Sequence, residues 1–281
     1  MDKHFDKKMA GAILAKEYAL CREDPKMQYQ QLSELTKSSD TMKSLNIVET
    51  ANPRCWRIVT DHDAVDGEEA AFRVQGVIVA KALPPIKHKI RSSSNAVQFL
   101  KQGLTIGGLG NEDFAKAIHN ATELFAELER AGGRAKVTPS DGLVAEGPEP
   151  SMCISNRLFT PRKENPNGIA VVMDSEIDPD GNLQSMAGEE FFYGEENAVD
   201  YMERKGGTDK KLTKTSPARF QIGDVVDVQL TINMIPIRQD ESKMFIILRG
   251  LALLDGTCAK DEGASRSKDR QAVGIEETQN V

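Results

Sequence analysis

The stretch FQIGDVVDVQLTINMIPIRQDESKMFIILRGLALLD, residues 220–255, decides the fold that we predict for this chain. In its first half, apolar residues occupy the even positions from Val226 to Met234 and polar residues occupy the odd positions between them. This period of two residues is typical of a β-strand with one buried face. A polar run at 239–242 precedes a second run at 244–254, which is apolar at odd positions too and so predicts a strand buried on both faces. Together the two runs predict an antiparallel hairpin, with strands at 225–237 and 243–254.

The same stretch carries a family resemblance. The pattern F-x-x-G-D-V-V-x-V-Q, then M-I-P-I, a polar turn and K-M-F-I-I-L-R-G-L-A-L-L-D-G-T, resembles the C-terminal block of uncharacterised proteins found in many copies in mushroom-forming fungi. The resemblance covers residues 220–257, with a looser match at 195–201. The pattern is fairly specific, but the resemblance implies no activity and no catalytic residue.

Composition excludes several classes of protein. A chain of 281 residues can bury a sizeable core, in one large domain or two small ones. Its net charge of −7 argues against binding polyanions over the whole surface, although a local basic face is compatible with it. Because we find neither a membrane span nor a signal peptide, we expect an intracellular protein, cytoplasmic or nuclear. The cysteines are far apart and predict reduced thiols, without disulfides or zinc: Cys21, Cys55, Cys153 and Cys258.

Further strands are predicted at 55–60, at 71–80, at 169–173 and near Phe191, which with the hairpin makes about five or six. Helical spacing predicts an N-terminal helix at 2–22 and a short one at 27–35. In the middle of the chain, Ser94 is a candidate cap for a helix that reaches Gln102. Asn111 is a candidate cap for a longer helix with a clean apolar stripe, which Gly132 and Gly133 end.

These elements predict an α+β fold. Our first architecture is a small, partly open antiparallel β-barrel of the oligonucleotide-binding (OB-like) kind, and the alternative is a β-sandwich or an irregular α+β sheet. The predicted organisation is a helical arm at 1–50 that lies outside the barrel and a β-rich domain at 51–255. That domain contains a helical insertion at 94–132 and a linker at 137–150. A disordered tail is predicted at 256–281.

Several short motifs fail as chemical sites. The glycines of GLTIGGLG, residues 103–110, match neither the spacing of a Walker-type phosphate loop nor that of the dinucleotide-binding fingerprint. They are interpreted as a hinge between two helices. The sequence Asp61-His62-Asp63 is interpreted as a solvated turn, because adjacent residues in a loop do not converge on a metal. The segment from Asp178 to Gly181 resembles part of a calcium loop but lacks its final glutamate, and it predicts a hairpin turn towards Phe191. We predict no catalytic residue, no metal and no cofactor; an enzyme of unknown class is the third alternative for function.

Two basic segments are candidate nucleic-acid contacts. In KALPPIKHKIR, residues 81–91, the cations Lys87, Lys89 and Arg91 alternate along an extended chain, about 6 to 7 Å apart, which is close to the phosphate repeat of a single strand. Residues 204–219 carry six basic residues and one acid, whereas residues 174–200 carry nine carboxylates and no base. The acidic segment is a candidate cover for the basic one. The predicted contact residues are Lys81, Lys87, Lys89, Arg91, Arg204, Lys205, Lys210 and Lys211, with Trp56, Phe72 or Tyr201 as stacking surfaces.

The favoured function is therefore a nucleic-acid-binding module, for single strands, without catalytic activity. The alternative is a protein-interaction or structural module, in which the long hairpin pairs with another chain. On that alternative the basic segments are ordinary solvated loops.

Overall fold

The computed structural model describes residues 5–28, 30–35, 44–51, 54–60, 67–86, 97–133, 136–138, 142–144, 149–205, 211–238 and 241–259. Within these ranges the α-helices are α1 (Lys7–Glu23), α2 (Pro25–Gln28), α3 (Glu112–Gly132) and α4 (Asn182–Ala187), and three short 3₁₀ helices lie at Leu32–Glu34, Glu195–Asn197 and Pro217–Arg219. The strands are β1 (Asn46–Ala51), β2 (Arg54–Val59), β3 (Phe72–Ala82), β4 (Lys101–Gly107), β5 (Lys136–Thr138), β6 (Leu143–Val144), β7 (Ser151–Arg157), β8 (Thr160–Pro161), β9 (Phe191–Phe192), β10 (Asp200–Arg204), β11 (Leu212–Lys214), β12 (Val225–Arg238) and β13 (Glu241–Asp255).

The predicted hairpin is confirmed as β12 and β13, which pair antiparallel with Val228 opposite Leu251 and Ile232 opposite Ile246. The apolar face of β12 is fully buried, as the alternation predicts, at Val226, Val228, Leu230, Ile232 and Met234. The opposite face is also covered, because three of its four polar side chains, Asp227, Thr231 and Asn233, are buried. The polar residues of β12 therefore lie on a face that is covered by the rest of the fold. Among these four side chains, Gln229 alone is exposed.

The hairpin lies at the centre of a large sheet. Its main path runs β11-β10-β13-β12-β3-β4-β7-β6, the β1–β2 ribbon joins β12, and β5 joins β13. The strands β3, β13 and β10 all run in the same direction, since β3 and β13 are each antiparallel to β12 and β10 is parallel to β13. Their C-terminal ends therefore meet at one end of the sheet, where β4 and β11 begin. The mixed α+β fold is confirmed and consists mostly of strands.

The N-terminal helix packs on this sheet and is not a separate arm. Ala10, Leu14 and Tyr18 of α1 are buried in the main core cluster, which also contains β12 and β13. The Tyr18 hydroxyl donates to the Gln75 carbonyl at 2.8 Å, deep in that contact. The amphipathic helix α1 therefore covers one face of the sheet.

The longer of the two central helices is confirmed. The Asn111 side chain caps α3 by accepting hydrogen bonds from the backbone N–H groups of Asp113 (2.9 Å) and Phe114 (3.1 Å). The helix ends at Gly133, whose φ of 78° is a conformation that side chains disfavour.

The other central helix, predicted from Ser94 to Gln102, does not reach Gln102, since Val97 is helical but residues 98 and 99 form a turn. Lys101 begins the strand β4, and the segment 103–110 is strand and turn, with no hinge between helices. Leu104 and Ile106 are buried on one face of β4. Glycine is needed at 103 because a Cβ there would lie 2.6 Å from the Ile154 carbonyl oxygen of β7, so this glycine serves close strand pairing.

Two predictions after β7 also need correction. Residues 169–173 form no strand; Val171 makes a single backbone hydrogen bond to Tyr193 (2.8 Å), while Ile169 and Val172 are exposed. The segment at Asp178 leads into a helix and not into a hairpin. Its carboxylate accepts from the backbone N–H groups of Leu183 (3.0 Å) and Gln184 (2.9 Å), which starts α4.

A second, smaller core cluster lies beyond the sheet end at which β3 finishes. Its buried members are Val97, Leu158, Phe159, Ile177, Leu183 and Tyr193. The proposed linker at 137–150 contains β6 and part of β5. Of the predicted tail, Cys258 is buried and Ala259 pairs with Phe5, and residues 260–281 lie outside the described ranges, as do Asp61, His62 and Asp63.

Candidate nucleic-acid interface

Four exposed lysines gather at one end of the sheet, which we call the basic end. Lys81 lies at the end of β3 and Lys101 begins β4, while Lys205 directly follows β10 and Lys211 directly precedes β11. The sheet topology brings them together from distant parts of the sequence, because these strands end or begin on the same side. Of the predicted contact residues, Lys81, Lys205 and Lys211 therefore share one surface.

Lys81 also has partners within the fold. Its ammonium donates to the Phe220 carbonyl and to the Gln221 side chain (3.4 Å), both in the turn before β12. The neighbouring carboxylate of Asp224 accepts from the Gln221 N–H at 2.7 Å. Burial raises the pKa of Asp224 to about 6, although that hydrogen bond and the charge of Lys81 act in the opposite direction.

Arg204 occupies a different environment from the lysines. Its guanidinium makes two hydrogen bonds of 2.7 Å to the carboxylate of Glu17 on α1 and a third to the Leu254 carbonyl (2.9 Å). The Glu17 side chain is only 7% exposed. The hydrogen bonds to Glu17 raise the pKa of Arg204. This arginine therefore joins α1 to the sheet.

The acidic and basic segments meet at Lys214, whose ammonium forms an ion pair with Asp174. The backbone N–H of Glu176 (2.9 Å) and this ammonium both lower the pKa of Asp174. A second cation of the segment, Arg219, contacts Glu203 at 3.2 Å. Of the five basic residues of this segment that the structure describes, Arg204, Lys214 and Arg219 pair with carboxylates within the protein.

Lys87, Lys89, Arg91 and Lys210 lie outside the described residues. The first three belong to the connection between β3 and β4. The described residues on either side of them, Ile86 and Val97, both belong to the second core cluster. Both attachment points of this connection are therefore at the basic end.

The predicted stacking surfaces are wrong, because all three side chains are buried. The exposed fractions of Trp56, Phe72 and Tyr201 are 7%, 2% and 3%. The Tyr201 hydroxyl donates to the Gln102 side chain at 2.8 Å, inside the core. These three aromatic side chains pack in the core. Residue type by itself does not tell a core aromatic residue from one that binds a ligand.

Sequence reasoning missed Phe99. Its side chain is 70% exposed, and every other aromatic side chain in the described ranges is buried or half-buried. The prediction of a helix at 94–102 concealed it, whereas a strand that begins at Lys101 leaves Phe99 in the turn before that strand. Its position in the sequence, between a basic segment and the first residue of a strand, could have indicated an exposed aromatic side chain.

A second group of cations lines a cleft between α1 and the beginning of α3. Of its basic residues, Arg22 (2.7 Å) and Lys116 (3.1 Å) contact Asp113, Lys7 contacts Glu149 (3.1 Å), and Lys8 is exposed. Because three of the four cations in this cleft contact acids, the basic end is the better candidate.

Other kinds of site find no support in the described part of the chain. No group of three or more metal-ligating side chains is gathered there. Its helices are all too short or too polar to cross a bilayer.

Comparisons with known proteins give little further information. No protein-family model matches the chain, and no curated protein matches its sequence. Among solved structures, a single-stranded DNA-binding protein from bacteriophage Enc34 is similar with a TM-score of 0.38 and 10% identity, over 80% of this chain and 99% of that one. Also similar is gp2.5, a single-stranded DNA binding protein encoded by bacteriophage T7, with a TM-score of 0.32 and 12% identity, over 75% of this chain and 99% of the other. Likeness of this extent carries no argument about the site.

Proposed function

We propose that this chain binds single-stranded nucleic acid along the basic end of its sheet, through phosphate contacts and without catalysis. The observation that carries the proposal is the convergence of four exposed lysines from four strand ends, Lys81, Lys101, Lys205 and Lys211. An exposed ammonium is a strongly hydrated point charge that suits a phosphate and reads no base.

The lysines are spread over a distance that suits a chain of phosphates. β10 and β3 are separated by β13 and β12, so their ends lie about 14 Å apart across three interstrand spacings, and β3 extends further along the strand direction. A single bound anion could not contact both ends of such a row, whereas a short oligonucleotide could. The sequence that joins β3 to β4, both of whose ends lie at the basic end, also contains Lys87, Lys89 and Arg91.

The proposed architecture remains the small, partly open barrel. It is supported by the approach of β7 to β13, where the Asn156 amide donates to the Leu248 carbonyl at 3.2 Å. A side chain makes this link between two strands that are far apart in the order of the sheet. On this proposal the basic end is one rim of the barrel.

The test is a titration of a labelled single-stranded oligonucleotide, followed by fluorescence anisotropy at several salt concentrations. We expect affinity to fall steeply with salt, and the double variant Lys205→Ser/Lys211→Ser to reduce the log–log slope by about 1.4, since each phosphate contact to a single strand contributes about 0.7. The triple variant Lys87→Ser/Lys89→Ser/Arg91→Ser should reduce the slope by about 2 on the same basis.

The matched control is Lys116→Ser/Arg130→Ser, which also removes two positive charges but from α3, where both cations pair with acids of their own helix. It should leave the slope unchanged. If the wild-type protein shows no salt-dependent binding, or if the control lowers the slope as much as the double variant, the proposal is wrong.

A protein partner is the second candidate, and one observation favours it. Ile169 and Val172 are 82% and 91% exposed in an extended segment. The predicted route, in which the long hairpin pairs with another chain, is not favoured, because β3 and β2 pair with the outer edge of β12 and β10 and β5 with that of β13. Binding of oligonucleotides that is insensitive to the lysine variants would favour this candidate.

A further inference from the structure

Phe99 is held in place although its ring is exposed. It lies in a turn that is closed by a hydrogen bond from the Leu100 N–H to the Val97 carbonyl (3.1 Å). Val97 is buried in the second core cluster, and the Leu100 carbonyl accepts from the Leu158 N–H at 2.9 Å. The backbone is therefore anchored on both sides of the exposed ring.

The exposure of this ring is costly for an isolated protein. A phenyl side chain that is left in water forgoes the free energy that burial in the core would provide. The other aromatic side chains of the described ranges avoid this cost, at least in part, by packing in the fold. An exposed aromatic ring on an anchored backbone offers a face on which a planar ligand can stack.

The position of Phe99 relates it to the basic end. Lys101, two residues later, begins β4 and is one of the four lysines of that surface. A strand whose phosphates follow these cations would pass beside the ring with its bases unpaired.

We propose that Phe99 stacks on a base of the bound strand and so gives the interface its preference for single strands over duplex; this inference rests on the proposed function. Every base has a π face, so stacking adds affinity without reading sequence. In a duplex, both faces of a base are already stacked on its neighbours, and the ring gains no partner. Phosphate contacts by themselves provide no such discrimination.

The experiment compares Phe99→Ala with the wild-type protein on an unstructured single strand and on a duplex of equal length. Stacking on one aromatic side chain is worth enough to predict a loss of single-strand affinity of roughly 5- to 100-fold. We expect the salt slope to stay unchanged, because no phosphate contact is removed, and the duplex affinity to stay unchanged as well. The melting temperature of the variant should match that of the wild type, since the ring is largely exposed.

Phe99→Trp gives a direct readout of stacking. It should keep single-strand affinity, and its emission should be quenched on binding, while the native Trp56 is buried and provides a constant background. The matched apolar control is Ile237→Ala, which removes an exposed side chain (53%) near the far end of β12 and should change no affinity.

The outcomes separate this inference from the proposed function. If Phe99→Ala binds single strands as the wild type does, or weakens duplex binding equally, Phe99 is not a stacking residue, although salt-dependent binding still supports the interface. If the wild-type protein binds no oligonucleotide, both proposals are wrong.

Discussion

Charge is used in opposite ways in two neighbouring regions of this molecule, the layer beneath α1 and the basic end of the sheet. Beneath α1, Arg204 is held by Glu17, and Arg73 forms an ion pair with the buried Asp227. At the basic end, Lys205 and Lys211 extend into solvent. Arg204 and Lys205 are adjacent in sequence and yet belong to different regions. Arginine provides a planar fork that matches a carboxylate, whereas lysine is a mobile point charge, and the chain places each accordingly.

The largest expected effect belongs to the core that supports both regions. Leu230→Ala should lower the free energy of unfolding by about 2 to 5 kcal/mol, because Leu230 is fully buried in β12 and the change leaves a cavity. Urea denaturation measures it. The control is Gln229→Ala, at the exposed neighbouring position, which should stay within about 0.5 kcal/mol of the wild type. An unchanged midpoint for Leu230→Ala would contradict the register of β12.

The charged layer beneath α1 should contribute stability and no binding. Arg204→Ala should cost about 3 kcal/mol of unfolding free energy, because it leaves the buried carboxylate of Glu17 without its partner. The same variant should bind oligonucleotide with the wild-type salt slope. A loss of slope with little loss of stability would place Arg204 in the interface and remove the contrast between the two regions.

Asp224 provides an effect of intermediate size at the boundary of the two regions. Its pKa is about 6 in the folded protein, above the ordinary value of 3.8, so the folded state holds more protons than the unfolded state between these values. Stability should therefore fall as pH rises from about 4 to about 6 and then level off. Asp224→Asn keeps an acceptor for the Gln221 N–H and should remove this dependence, with a gain on the order of 1 kcal/mol at pH 7.

Thermal or urea unfolding across pH 4 to 8 measures this prediction. Asp180→Asn, at an exposed turn, is the control and should keep the wild-type pH profile. A stability of the wild-type protein that rises between pH 4 and 6, and an Asp224→Asn variant that follows it, would show that Asp224 is not the group responsible.

The smallest effect on stability is expected for Lys205→Ala, which should change the unfolding free energy by no more than about 0.5 kcal/mol. Its salt slope for a single strand should nevertheless fall by about 0.7. Arg204→Ala and Lys205→Ala are thus expected to give opposite results at adjacent positions. If Lys205→Ala is as destabilising as Arg204→Ala, the lysine belongs to the charged layer.

The sequence was sufficient for elements whose signal is local. Alternation defined β12, and a capping asparagine with an apolar stripe defined α3. It was insufficient for β4, because Gly103 and the buried Gln102 interrupt the apolar pattern of this strand. Each residue is explained by a partner that is distant in sequence: the Ile154 carbonyl leaves no room for a side chain at 103, and the Tyr201 hydroxyl donates to Gln102. The outer face of β12 was mispredicted for the same reason, since the Asn233 amide nitrogen donates to Glu69, a residue that precedes β3 in the sequence.

The candidate site was predictable only as a list of cations. Which of them share a surface depends on the parallel pairing of β10 with β13, and no local pattern encodes the order of strands in a sheet. The availability of a cation depends on contacts such as that of Lys214 with Asp174, which join segments that the sequence shows as separate runs of charge. Phe99 was missed because its exposure follows from where β4 begins.

The bond between Glu17 and Arg204 joins residues 187 positions apart. This separation determines how late in synthesis the bond can form. When α1 leaves the ribosome, its tyrosine can soon meet β3, but the arginine that neutralises Glu17 is made only after two thirds of the chain. A nascent chain therefore carries α1 with an uncompensated acid until β10 emerges, and a fold built from such distant contacts forms slowly. The helix α1 is therefore fully bonded to the sheet only long after it has been made.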